Sequence, residues 1–233
     1  MSNKYKNKNL SQNFVSKLSK FRFECTQCGQ CCRNIKPEDK VLLTSIDIWR
    51  MAKALDKDVP EFIGEYCDLV PGGESMLPLL VLKDRMDGSC IMLKKGKCSV
   101  HEGKPLVCAL NPLGRILFLN EVTNEQEFRY FLREDDCIGG QGKEQSVQDF
   151  LDEIDVEQYD ESIKLYKRLG GVLSKMMHEA KTIEEKRELF QTAFFLMYAK
   201  LNKDIDIYGQ LAQNLAFIQS IDPSRGFDKE QLS

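Results

Sequence analysis

The apolar positions of the chain follow different spacings in its two halves. From Ser146 onward, hydrophobic side chains recur every three or four residues, which is the spacing of the buried face of an α-helix. Three such runs begin at Ile163, Phe190 and Tyr208. The spacing predicts three helices packed on one another. Ser146 with Asp149, and Thr182 with Glu185, have the spacing of helix N-terminal caps.

The first half contains shorter periodic segments separated by turns. A helix is predicted from Thr44 or Ser45 to Leu55, and a second one after Asp58, with Pro60 in its first turn. Short strands are predicted at 77–83, on both sides of the turn 94–97, and in a second hairpin that joins 115–119 to 128–132. Small elements of this kind are typical of domains in which metal ligation replaces part of the hydrophobic core.

These patterns predict an α+β fold that is mostly α. A small, irregular, metal-centred domain with short helices and β-hairpins would be followed by a C-terminal helical bundle. The predicted parts are a basic N-terminal arm (1–20), a cysteine-cluster metal-binding domain (21–145) and a C-terminal helical region (146–233). Within the first helical run, Gly170-Gly171 predicts either a break or a close helix crossing.

Composition narrows the class of protein. The 233 residues are 42% hydrophobic, which is enough for a sizeable core. No apolar run reaches the length of a membrane helix and the N-terminus lacks the apolar region of a signal peptide, so we expect a cytoplasmic protein and no membrane partner. The formal net charge of -3 disfavours a nucleic-acid partner. We expect a protein partner, bound through the C-terminal helices.

Candidate chemistry lies in the nine cysteines, all of which fall between Cys25 and Cys137. Disulfide frameworks belong mainly to small secreted proteins, so cytoplasmic cysteines in this number need another use. Cys25, Cys28 and Cys31 form a C-x2-C-x2-C pattern, which is typical of ferredoxin-like [4Fe-4S] ligation. Structural zinc sites usually pair two separate C-x2-C knuckles. The spacing therefore favours an iron–sulfur cofactor, with zinc as the alternative.

The other cysteines leave the number of metal centres open. Adjacent side chains point apart in an extended backbone, so Cys31 and Cys32 serve one ion only if the chain turns tightly. Cys32 is therefore predicted to face either a second metal centre or a second corner of the first metal centre. Further candidate ligands are Cys90, Cys98, Cys108 and Cys137. Cys67 has no neighbour at ligand spacing and is predicted to be a buried core residue, while His101 is a weaker candidate for a mixed zinc site.

Four motifs occur in the order FECTQCGQCC, DGSCIML, GKCSVHEGKPLVCALNPLG and DDCIGGQGKEQSVQDFL. Over residues 21 to 151 this arrangement resembles the YkgJ-type cysteine-cluster family, the zinc- or iron-chelating CxxCxxCC domain. The resemblance implies metal ligation by eight residues: Cys25, Cys28, Cys31, Cys32, Cys90, Cys98, Cys108 and Cys137. The chain departs from the family at Ala109, where an arginine commonly follows the cysteine. One branch that looks like this domain, the flagellin lysine N-methylases, is associated with an iron–sulfur cluster and methyl transfer.

Three functions follow as hypotheses. In the first, the cysteines hold a [4Fe-4S] cluster, in one or two centres, for redox or cluster-assisted chemistry. In the second, zinc stabilises a protein-interaction module without catalysis. The third, implied by the resemblance alone, is methyl transfer of the lysine N-methylase kind. The sequence contains no glycine-rich nucleotide loop and no nucleophile motif, so no catalytic residue is assigned and enzymatic activity is left open.

Overall fold

The structure, a computed structural model, describes residues 14–33, 35, 40–119, 126–133 and 138–221. Its helices are α1 (Ser45–Ala54), α2 (Val59–Tyr66), α3 (Leu106–Ala109), α4 (Val147–Glu153), α5 (Val156–Glu179), α6 (Ile183–Phe194) and α7 (Ile207–Ile221). Its strands are β1 (Phe14–Val15), β2 (Lys20–Arg22), β3 (Leu42–Leu43), β4 (Cys67–Pro71), β5 (Pro78–Leu82), β6 (Leu93–Lys94), β7 (Lys97–Cys98), β8 (Leu113–Leu119), β9 (Gln126–Leu132) and β10 (Glu144–Ser146). The fold is α+β and mostly α, as predicted. None of the helices in these ranges has an apolar stretch long enough to cross a bilayer.

The chain divides into two compact units, each built from separate stretches of sequence. The sheet unit contains, among the described residues, 14–26, 107–119, 126–133 and 138–155. The helical unit contains 27–33, 35, 40–106 and 156–221. The division into an arm, a cysteine domain and a helical region at residues 20 and 145 stays a prediction.

In the sheet unit, β9 lies between β1 and β8 in an antiparallel sheet, and β10 pairs with β2. The hairpin predicted across 115–132 is present, and its pairing extends back to Leu113. The rings of Phe21 and Phe23 pack edge-on against Phe150 of α4, with centroids 5.5 and 5.8 Å away. Aromatic packing of this kind gives the unit a small core of its own.

In the helical unit, α5 packs against α1, α6 and α7, and the antiparallel sheet β3-β5-β4 completes the core. The helix starts agree with the predictions because their signals are local. Thr44 caps α1 and Asp58 precedes α2, with Pro60 in the first turn. The helix α5 runs through Gly170-Gly171 without a break. Gly170 is buried, but a Cβ placed on it would make ordinary contacts, 3.6 and 3.8 Å, with the side chains of Leu77 and Met197. The predicted break is absent, and the close helix crossing stays a prediction.

The helix α6 continues into a π-helical turn, Phe195–Ala199, that the sequence does not predict. A π-turn leaves backbone carbonyls without their usual helical partners. Ser45 Oγ donates a hydrogen bond to the Met197 carbonyl at 2.5 Å, and Asn214 Nδ2 donates to the Leu196 carbonyl at 2.8 Å. Both donors are buried. The π-turn is thus stabilised by side chains from α1 and α7.

Candidate metal centre

The loop that carries the first cysteines of the helical unit, residues 27–33 (the cysteine loop), contains two residues with a left-handed backbone. Gln27 has φ 55° and Gly29 has φ 75°. A single 3-10 turn, Gln30–Cys32, follows, and the Cys32 N–H donates to the Gly29 carbonyl at 3.1 Å. This turn brings the Sγ atoms of Cys31 and Cys32 to 3.9 Å from each other. The tight turn that two adjacent ligands require is therefore present.

The cysteine loop rests on the β6–β7 hairpin. A Cβ added to Gly29 would lie 2.9 Å from the Gly96 carbonyl oxygen and 2.8 Å from Leu93 Cδ1. Glycine is required there for its positive φ and for this close approach. The hairpin itself turns through Lys95 and Gly96, both with positive φ, as a two-residue turn of the primed type demands.

Two further segments bring thiols to the loop. The Cys90 N–H donates to the Cys32 carbonyl at 2.8 Å, which ties the segment after β5 to the cysteine loop. Cys98 lies in β7, opposite Leu93. We call Cys31, Cys32, Cys90 and Cys98 the thiol cluster. Cys32 and Cys90 are buried, Cys98 is half-buried and Cys31 is exposed.

The thiols of the cluster change one another's acidity. Hydrogen bonds with Cys31, Cys90 and Cys98 raise the pKa of the Cys32 thiol far above its usual value. In turn, hydrogen bonding with Cys32 lowers the pKa of Cys90 and lowers the pKa of Cys98 to about 7, although burial opposes both changes. One proton is thus held at Cys32 while its neighbours ionise more easily.

Backbone amides also favour ionised sulfur. The Met92 N–H donates to Cys90 Sγ at 3.4 Å, and the backbone amide of Val100 lowers the pKa of Cys98. Each amide lies two residues after its cysteine. Hydrogen bonds to the charged form favour that form, and the thiolate is the form that binds metal. The only signal for these amides in the sequence is their position two residues beyond each cysteine.

The thiol cluster has the donor chemistry of a four-sulfur metal site, and one of its sulfur–sulfur distances is of a suitable length. With a Zn–S bond of about 2.3 Å, ligands at two corners of a tetrahedron are ~3.8 Å apart, close to the distance between Cys31 and Cys32. Within the described ranges, no three His, Cys, Asp or Glu side chains already have the arrangement of a finished ion site. The thiols would therefore have to adjust their positions to coordinate one ion.

The remaining predicted ligands have separate positions. Cys28 is half-buried in the cysteine loop, and no hydrogen bond joins its thiol to another described residue. Cys25, which is exposed, and Cys108, which is half-buried in α3, belong to the sheet unit. Cys137 lies outside the described residues. Ligation by all eight cysteines stays a prediction.

Two residues outside the predicted ligand set also have defined positions. Cys67 is 7% exposed at the start of β4, and burial raises the pKa of its thiol to about 12. This agrees with its predicted role in the core. His101 is half-buried, and desolvation followed by the charge of Lys104 lowers the pKa of its imidazole.

Comparison with known proteins gives one match. The model of the family CxxCxxCC, described as a "putative zinc- or iron-chelating domain", matches residues 24–137. The matched range contains all eight predicted ligands, from Cys25 to Cys137. Neither the curated proteins nor the solved structures gave a match. Residues 24–137 of this chain therefore belong to the CxxCxxCC family.

Proposed function

We propose that the thiol cluster binds a single metal ion, zinc or iron, which fastens the cysteine loop to the Cys90 segment and to the β6–β7 hairpin. The observation that carries this proposal is the position of Cys32: its Sγ lies 3.9 Å from that of Cys31, and its carbonyl accepts the backbone N–H of Cys90 from a separate segment at 2.8 Å. Thiols gathered in this way are a donor set that zinc and iron both accept.

The electrostatics of the cluster support a cation at this position. Four neighbouring thiols cannot all ionise without repelling one another, and hydrogen bonds with the other thiols, followed by burial, raise the pKa of Cys32 far above its usual value. A divalent cation offsets the repulsion and replaces the shared proton. The segments concerned are a single 3-10 turn and two-residue strands, which have little core of their own. Ligation would supply stability that these short elements lack.

The sulfur contact favours one ion over a cluster. In a [4Fe-4S] cube each thiolate binds a different iron and points away from the centre, so the ligand sulfurs lie farther apart than around one ion. The 3.9 Å between Cys31 and Cys32 supports the single ion. In this role the centre would stabilise a module for protein interaction, and no catalytic step is assigned to it.

A [4Fe-4S] cluster is the second candidate, and one sequence observation favours it. Cys25, Cys28 and Cys31 have the C-x2-C-x2-C spacing of ferredoxin-like ligands. A cluster would add redox or cluster-assisted chemistry on a partner. It would use Cys31 in a different ligand set from the thiol cluster.

Metal and sulfide analysis of the full chain, purified without oxygen, separates the two candidates. The single-ion proposal expects zinc or iron bound at one ion or more per chain, without acid-labile sulfide. A brown protein with broad visible absorption, and with labile sulfide equal to its iron, would overturn the single ion in favour of the cluster. Protein free of zinc and iron after anaerobic purification, with no uptake of either ion on titration, would overturn both.

A further inference from the structure

The turn of the β6–β7 hairpin carries three lysines within four residues. Lys94, Lys95 and Lys97 are all exposed, and we call them the lysine turn. Lys94 ends β6, Lys95 lies in the turn and Lys97 begins β7. Lys97 is followed directly by Cys98, a member of the thiol cluster. The positive charges therefore lie on the element that supplies a thiol to the centre.

This arrangement lowers the stability of the hairpin at two positions. Lys94 and Lys97 are directly opposite each other in the strand register, and like charges in that relationship repel. Lys95 has φ 50°, a left-handed conformation in which asparagine, aspartate or glycine is favoured. Residues that oppose local stability in this way are expected where a function retains them.

The charges of the lysine turn are available to a partner. Among the described residues, no carboxylate forms an ion pair with any of the three ammonium groups. Lys94 Nζ lies 5.6 Å from the centroid of the Tyr66 ring. The hairpin lies close against the cysteine loop, since a Cβ added to Gly29 would come within 2.9 Å of the Gly96 carbonyl oxygen. An exposed group of cations without carboxylate partners is suited to an anionic surface.

We propose that the lysine turn is a docking surface for an acidic face of a partner protein. Three charges form a short patch, whereas nucleic-acid backbones are usually bound along an extended basic track. A partner docked on the lysine turn would lie beside the thiol cluster. The proposal is independent of the metal that the cluster holds.

Calorimetric titration of the metal-loaded full chain with poly-L-glutamate at low salt tests the lysine turn. The test variant combines Lys95→Gln with Lys97→Gln. The control combines Lys167→Gln with Lys175→Gln, which removes two exposed lysines of α5 in the same unit. We expect the test variant to bind about tenfold more weakly and the control to stay within about twofold of the parent. Equal weakening in both, or no measurable binding by the parent, would overturn the proposal.

Two further measurements separate docking from other roles. The test variant should keep its full metal content, and loss of metal would mean that the lysines serve the centre instead. A single-stranded oligonucleotide that binds more tightly than polyglutamate, with the same dependence on the lysine turn, would overturn the assignment to an acidic protein. Lys97→Glu, which places opposite charges across the strands, should raise the melting temperature and weaken polyglutamate binding. A lowered melting temperature would show that Lys97 is retained for stability.

Discussion

Asp47 Oδ1 accepts a hydrogen bond from the backbone N–H of Leu106 at 2.8 Å, although 59 residues separate the two in the chain. The other oxygen of the same carboxylate accepts the N–H and the hydroxyl of Thr44, at 2.9 and 2.6 Å, where α1 begins. Asp47 is 4% exposed. One buried side chain therefore caps α1 and also satisfies the amide at the end of the segment that contains Cys90 and Cys98.

Replacing Asp47 by alanine should destabilise the protein by about 2–4 kcal/mol, because it removes a helix cap and leaves a buried amide without its acceptor. Urea denaturation measures the loss. Glu185→Ala is the matched control, since Glu185 occupies the same position in the capping box of α6 but is exposed and bonds only to neighbouring amides. Equal losses for the two variants would show that the bond to Leu106 contributes nothing.

The same two carboxylates should give opposite dependences on pH. Burial raises the pKa of Asp47 despite its hydrogen bonds, whereas the amides of Lys181 and Thr182 lower the pKa of Glu185. The contribution of Asp47 to the free energy of unfolding is complete below the pKa of aspartate in the unfolded chain, about 3.9, and declines as the pH rises through its raised pKa in the folded protein. The contribution of Glu185 is complete above the pKa of glutamate in the unfolded chain, about 4.3, and declines as the pH falls through its lowered pKa in the folded protein.

Denaturation of the parent and of both alanine variants across this range of pH measures these contributions. Taking the difference from the parent at each pH removes effects that the proteins share, such as loss of metal in acid. The penalty for Asp47→Ala should shrink as pH rises and that for Glu185→Ala should grow. Penalties that change in the same direction would contradict the pKa shift of one of the two groups.

Cys90→Ser should lower the metal content of the purified protein to less than half, because it removes a ligand of the thiol cluster. Cys67→Ser is a close control: both cysteines are 7% exposed and both lie in the helical unit. Each variant buries a hydroxyl in place of a thiol, so both should lose some stability. Elemental analysis that finds equal metal in the two variants would remove Cys90 from the proposed site.

Gly29→Ala should destabilise the protein and weaken metal binding. Part of the effect, of the order of 1 kcal/mol, comes from the positive φ. Gly73→Ala isolates that part, since Gly73 has φ 60° and nothing within 4 Å of an added Cβ. The additional loss at Gly29 reports its close approach to Gly96 and Leu93. Thermal denaturation and zinc titration of both variants measure these losses. A melting temperature and a zinc affinity no lower for Gly29→Ala than for Gly73→Ala would contradict the structure.

Asn214→Ala should cost about 1–3 kcal/mol, because the Leu196 carbonyl of the π-turn loses its buried donor. Gln213→Ala is the control, since the neighbouring Gln213 side chain is exposed and its loss should change stability by less than about 0.5 kcal/mol. Denaturation of both variants gives the comparison. A loss no larger at Asn214 than at Gln213 would mean that the π-turn does not depend on this hydrogen bond.

The sequence predicted the elements whose signals are local. Thr44 and Asp58 marked the starts of α1 and α2, and the turn at Lys95-Gly96 marked a hairpin. The π-turn could not be predicted in this way, because one of the side chains that stabilise it, Ser45, lies 152 residues from the carbonyl to which it donates. The spacing of apolar residues carries no information about a hydrogen-bond partner at that distance.

The candidate site shows the same division between local and distant information. The spacing from Cys25 to Cys32 indicated metal ligation without indicating which thiols meet. Their grouping depends on the 3-10 turn at Cys32 and on the bond from the Cys90 amide, which form only when distant segments pack. Spacing predicted iron–sulfur ligation, whereas the sulfur contact supports a single ion. Metal analysis decides between them.

The discontinuous helical unit has a consequence for synthesis on the ribosome. Its first stretch ends at Leu106, and its second begins only after the whole of Val107–Asp155 has been made. The carbonyl groups of Asn202 and Ile205 that accept the indole N–H of Trp49 emerge later still. Every thiol of the cluster therefore leaves the ribosome before the helices that complete the core around α1. Metal can thus reach these thiols on a nascent chain, and loading during translation would precede closure of the unit.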